Sequence, residues 1–115
     1  MIEIRGDEYA MTYDPTTATI TCHGTFRQYG TTGYHEIEHL FEQVANQKSP
    51  VITVDMKDLE FLNSSGINAF SKFIITVRNY AISRIVILGN PEIVWQIRTF
   101  ENLQRLMPGL HVRFE

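Results

Sequence analysis

The sequence is poor in several things, and each shortage excludes something. It has one cysteine, Cys22. That allows neither an internal disulfide nor a cysteine-based zinc site, and Cys22 sits in an alternating apolar run, where a buried structural thiol is expected. No apolar run approaches the roughly 18 residues of a membrane helix. The longest apolar stretches, Phe73–Val77 with its Thr and Arg84–Leu88 with its Arg, are the size of core elements. The first residues, Met1-Ile2-Glu3-Ile4-Arg5, lack the basic start and apolar stretch of a secretory leader, so a cytoplasmic location is expected. Basic charge is also scarce: ten Lys and Arg against thirteen Asp and Glu give a net charge of −3. With no basic stripe, a dedicated nucleic-acid binder is not expected.

What is present is the composition of a globular domain. The chain has 115 residues, 43% of them apolar and 20% charged. These values exclude intrinsic disorder and suit a single domain over residues 1–115 with its own core.

The hydrophobic patterning gives an element order. A strand is predicted over Glu8–Tyr13, preceded by a short extended piece at Ile2–Arg5. Asp14-Pro15-Thr16 is a turn. Thr17–His23 alternates, with Ala18, Ile20 and Cys22 on one side, and reads as the second arm of a hairpin. Gly24 is expected to break it, and Thr25–Gly33 to form a loop. From Tyr34 to Gln47, Ile37, Leu40, Phe41 and Val44 recur at helical spacing. Pro50 ends that helix. Val51–Met56 reads as a buried parallel strand, and Lys57–Leu62 as a connection. A helix with Ile67, Phe70, Ile74 and Val77 on one face follows. Its β-branched Ile74–Val77 stretch competes as a strand, but its length and N-terminal capping residues favour helix. Arg84–Leu88 is a strand, Glu92 to Leu106 a helix with Pro91 in its first turn, Pro108-Gly109 a turn and Leu110–Phe114 a last strand. The expected architecture is α/β: a mixed, mainly parallel sheet opened by an N-terminal hairpin, with helices packed on it. Function in such sheets gathers where strands end and helices begin. Asn63-Ser64-Ser65-Gly66 occupies such a place. As residues alone, these four are good capping chemistry. They also put serines beside the free N–H groups of a helix start, which favour a phosphate.

The stretch Val51-Ile52-Thr53-Val54-Asp55-Met56-Lys57-Asp58-Leu59-Glu60-Phe61-Leu62-Asn63-Ser64-Ser65-Gly66 resembles the signature of STAS domains, named for sulphate transporters and anti-sigma factor antagonists. Ile85–Asn90, Pro91-Glu92 and the later Leu103, Leu106 and Leu110 are also similar to that family. The resemblance implies a STAS-like fold and a bacterial, non-enzymatic regulator of the antagonist type. Such a module binds an anti-sigma-like protein that is also a serine kinase. It implies phosphorylation at Ser64, a turn shaped by Asn63, Ser65 and Gly66, and resetting by a serine phosphatase. Partner contacts are expected at Phe26, Arg27 and Tyr29, with no cofactor and no metal, and homodimerisation is compatible with this reading. Two residues depart from the family pattern. Asn63 stands where Asp is usual, and Gly24-Thr25-Phe26-Arg27 replaces an acidic turn. Both favour a second reading, a non-phosphorylated STAS scaffold subunit of a constitutive complex.

A third reading comes from His35-Glu36-Ile37-Glu38-His39, which matches the H-E-x-x-H helix of zinc hydrolases. No third ligand follows at a recognised spacing, and the core face of that helix leaves His35 and His39 toward solvent. Phe26, Tyr29 and Tyr34 cluster around the glycines, as a contact patch or a cover for the sheet end. Trp95 is expected in the core or at its rim, and His111 exposed or satisfied. Asp55 and Asp58, flanking the serines, read as solvated loop residues. Ser64 lacks a hydrolase elbow, and no phosphate-binding or dinucleotide fingerprint occurs.

Overall fold

A computed structural model describes all 115 residues. Six strands form one sheet in the order of the sequence: β1 (Ile2–Arg5), β2 (Tyr9–Asp14), β3 (Thr19–Phe26), β4 (Val51–Leu62), β5 (Arg84–Gly89) and β6 (His111–Phe114). β2 runs antiparallel to both β1 and β3, and β3 to β6 run parallel. The helices are α1 (Gly30–Gly33), a single turn, α2 (His35–Asn46), α3 (Ser64–Tyr80) and α4 (Val94–Gln104).

Each parallel crossover steps to the next position in the same direction. Right-handed connections therefore put α2, α3 and α4 on one face of the sheet. Burial follows: in β5, Ile85 and Ile87 are buried while Val86 and Leu88 on the opposite face are only half-covered. Twenty-seven buried residues make one continuous core between sheet and helices. Phe41 of α2 stacks on Phe73 of α3 at 4.5 Å between ring centres and meets Phe70 edge-on at 5.0 Å.

The hairpin, the three main helices and the order of elements along the chain agree with the sequence reading. Ile37, Leu40, Phe41 and Val44 are the buried face of α2. Phe70, Ile74 and Val77 are buried in α3, with Ile67 half-buried at its start; the β-branched run packs as helix. No helix is long and apolar enough to cross a membrane.

Two expectations fail, for one shared reason. Gly24 does not break β3, and Lys57–Leu62 is not a connection. Gly24 adopts φ +90°, and a Cβ there would lie 2.2 Å from the Glu8 carbonyl oxygen. The glycine therefore carries the strand through a register shift instead of ending it. β3 runs on to Phe26, and its extension pairs Gly24 with Leu59, Thr25 with Phe61 and Phe26 with Leu62. That pairing makes β4 a twelve-residue strand. Its alternation is interrupted where two residues, Lys57 and Asp58, separate the buried Met56 and Leu59, opposite the register shift between Thr21 and His23. The loop expected over Thr25–Gly33 thus begins only after Phe26, and it contains α1. α4 is shorter than the helix expected from Glu92 to Leu106.

Candidate functional site

The long β4 delivers the serine turn to the end of the sheet, beside the segment that leaves β3. Asn63 is the N-cap of α3, in extended geometry (φ −79°, ψ 176°). Its Oδ1 accepts the Gly66 N–H at 2.9 Å, while its carbonyl accepts the Ile67 N–H at 2.9 Å. This satisfies two of the helix's early donors. The N–H groups of Ser64 and Ser65 keep no backbone partner.

The two serines differ. Ser64 is exposed, and Ser65 is half-buried. The Ser65 Oγ accepts the Gly30 N–H at 3.2 Å, so its hydroxyl is engaged in holding the neighbouring loop. Gly66 is buried, and a Cβ there would lie 2.3 Å from Leu62 Cδ1 and 2.7 Å from the Tyr34 hydroxyl. Only glycine lets the helix start this close to the loop.

Tyr34, of the aromatic cluster around the glycines, has a defined role. It is 1% exposed, and its hydroxyl donates to Asn63 Oδ1 at 2.7 Å. Burial, with a smaller push from Tyr9, raises its pKa to about 12. It is thus a cover for the sheet end and a support for the cap. Phe26, expected to contact a partner, is 0% exposed. Its ring packs on Tyr9 at 4.8 Å, because the longer β3 carries it onto the helix face of the sheet. Its side chain belongs to the core and is not open to a partner.

Arg27 and Tyr29 remain at the surface. Arg27 pairs with Glu8 at 3.0 Å and lies 5.9 Å over the ring of Phe61. Tyr29 is 93% exposed. Phe61, which sequence reasoning placed in a connection, is 46% exposed and extends this surface. Its place two residues before the cap was visible; its strand geometry was not. Trp95 lies at the rim, with Nε1–H donating to the Glu60 carbonyl at 2.7 Å.

Other singled-out residues lie apart from the turn. The Asp55 carboxylate accepts the Lys57 N–H at 3.1 Å and stands 3.7 Å from Lys57 Nζ, so it orients its own strand. Asp58 and His111 are exposed. His35 and His39 are exposed on α2, along a shallow groove against α3 that also holds Glu38, Glu42 and Lys72. Glu38 is tied to Lys72, and no group of three His, Cys, Asp or Glu side chains forms there or elsewhere.

The hairpin-led mixed sheet, with a serine turn opening the helix after its central strand, is a STAS-like fold. Solved structures share it. One is in the complex of the diguanylate cyclase SiaD with its activator SiaC from Pseudomonas aeruginosa, with a TM-score of 0.77 over all of both chains at 11% identity. Another is an anti-sigma factor antagonist from Mycobacterium paratuberculosis, with a TM-score of 0.64 at 12% identity over 95% of this chain and 88% of that one. A third is the Bacillus cell-fate determinant SpoIIAA in its phosphorylated form, at 0.54 and 16% identity, covering 86% and 87%. No family model and no curated protein matches the sequence. At these identities the likeness is one of fold.

Proposed function

We propose that this chain is a regulatory protein-binding module of the anti-sigma factor antagonist type, switched by phosphorylation of Ser64. A partner serine kinase adds the phosphate and a phosphatase removes it; the chain itself performs no catalysis. The observation that carries this reading is the contrast within the serine pair. Ser64 is exposed at the first position of α3, while the hydroxyl of Ser65 is occupied by the Gly30 N–H. A phosphate on Ser64 sits at the positive end of the helix beside the free Ser64 and Ser65 N–H groups, where it is tolerated by the fold. It adds about −1.5 to −2 charges to the surface carrying Tyr29 and Arg27. A hundredfold fall in affinity for a partner docked there requires about 2.7 kcal/mol, within the cost of burying such a charge in an interface. The likeness to an activator of a diguanylate cyclase and to an antagonist of an anti-sigma factor supports a protein partner.

A second reading is supported by Asn63. Its amide oxygen and nitrogen are both bonded inside the protein, and it supplies no acidic group beside Ser64. A scaffold subunit held constitutively in a complex fits that feature.

Intact-mass analysis of the protein from its own cells, with fragment mapping and a Ser64→Ala control, separates the two. One phosphate on Ser64 establishes the switch. An unmodified chain under all growth and stress conditions leaves the scaffold.

A further inference from the structure

The segment that leaves β3 is fastened to the serine turn largely through one residue. The Asn63 N–H donates to the Phe26 carbonyl at 3.1 Å, and its Nδ2–H donates to the Gln28 carbonyl at 2.7 Å. Its Oδ1 accepts the Tyr34 hydroxyl at 2.7 Å as well as the Gly66 N–H. The orientation of this amide is forced by its partners: the Gly66 N–H can only donate, and the Gln28 carbonyl can only accept. An aspartate has the same shape and caps a helix as well. As a carboxylate, however, it has no donor for Gln28, and its second oxygen would face the carbonyl lone pairs.

Between Phe26 and Tyr34 there is little else to hold the segment down. α1 buries none of its residues, and Tyr29 is almost fully exposed. Both polar atoms of the Gln28 side chain are buried with no partner in the protein, so the closed position gains no hydrogen bond from that amide. Apart from Asn63, the one further link to the serine turn is the 3.2 Å bond from Gly30 to Ser65.

We infer that Asn63 is a latch: its side-chain amide fixes Gln28–Gly33, with Tyr29 at the exposed tip, to the first turn of α3, so that loop and serine turn change state together. The amide in place of an acid is what makes the latch. Its regulatory meaning rests on the phosphorylation reading above: a charge on Ser64 and a partner seated on Tyr29 are felt by one another through Asn63. The latch itself does not depend on that reading.

Amide hydrogen exchange of the purified chain, followed by NMR, tests it. Asn63→Asp keeps the cap and removes the donor to Gln28. Asn63→Ser keeps a cap oxygen for Gly66 and loses the reach to Gln28, and it serves where the charged variant folds poorly. The expected result in both is exchange about tenfold or more faster at Gly30 and Gly33, with protection at Val77 and Ile85 within about twofold of wild type. Loop protection that stays at the wild-type level overturns the latch. So does acceleration spread evenly over loop and core, which shows a general loss of stability. A chain that never carries phosphate on Ser64 refutes the switch and leaves this result untouched.

Discussion

Gln96 of α4 reaches across 40 positions of sequence to the carbonyl of Met56, donating at 2.7 Å from a side chain that is wholly buried. The same Nε2 donates to the Leu59 carbonyl at 2.9 Å, and its Oε1 accepts the Asn90 N–H at 2.8 Å. The position explains the need. β4 pairs with β5 only as far as Asp55, and on that side its carbonyls beyond this point have no strand to take them. Gln96 supplies the donor for two of them, while Asn90 Nδ2 serves the Lys57 carbonyl at 3.3 Å and Trp95 Nε1 the Glu60 carbonyl.

Replacing Gln96 with Ala or with the similarly sized Leu leaves two buried carbonyls without partners. The expected loss is about 2–6 kcal/mol, since each buried polar group left unsatisfied costs about 1–3 kcal/mol. Urea unfolding measures it. A loss below about 1 kcal/mol would mean that those carbonyls find other partners.

Gly66→Ala sets two effects of opposite sign against each other. Alanine within a helix is ordinarily favoured over glycine by about 1 kcal/mol. Here the new methyl group meets Leu62 and the Tyr34 hydroxyl at distances no side chain keeps. Both neighbours are buried, so overpacking wins, and a net destabilisation of about 1–3 kcal/mol is expected in thermal unfolding.

Tyr29→Ala removes a ring that touches solvent on almost every side. Stability should stay within about 0.5 kcal/mol of wild type. Affinity for the partner should fall tenfold or more, about 1.4 kcal/mol. Calorimetry of the purified complex reads both quantities, and unchanged affinity removes Tyr29 from the interface.

Cys22 is buried, and both its burial and the nearby Asp55 charge push the thiol above its usual range. The reactive thiolate is therefore withheld in the native protein. A thiol reagent at mildly alkaline pH should label the folded chain only as fast as it unfolds, and label it at once in denaturant. Rapid native labelling would contradict the burial.

Tyr34 sets a limit on the alkaline side. The unfolded phenol ionises near 10.0, and the folded one is pushed up to about 12. The unfolded chain loses its proton first, so the contribution of this group is complete below pH 10 and is lost as pH rises toward 12. Denaturation midpoints taken between about pH 9 and about pH 11 should fall more steeply for the wild type than for Tyr34→Phe. The Tyr13 phenol and the Cys22 thiol are also raised by burial and leave a residual slope in that variant.

The parts of this structure legible in the sequence are those written in local patterns. The α2 face, the hairpin turn and the cap at Asn63 each depend on residues within a few positions of one another. The misread parts depend on distant partners. Lys57–Leu62 becomes a strand because β3 continues alongside it, and β3 continues because Gly24 fits under the Glu8 carbonyl. Phe26 is drawn into the core by the same extension. At the site, the motif gave the position of Ser64 and the cap. That the Asn63 amide also fastens Gln28, 35 residues away, has no local signature.

The strand order has a consequence for how the molecule comes into being. Every strand lies beside its sequence neighbours, so a chain emerging from the ribosome can add each strand to an edge already in place. The Phe26–Tyr34 segment is waiting when Asn63 arrives. β6 pairs with β5 alone, two positions along the sheet from the β4 strand that carries the serine turn. The serine turn and the loop it holds are thus built from β3, β4 and the chain next to them, ahead of β5 and β6 in chain order.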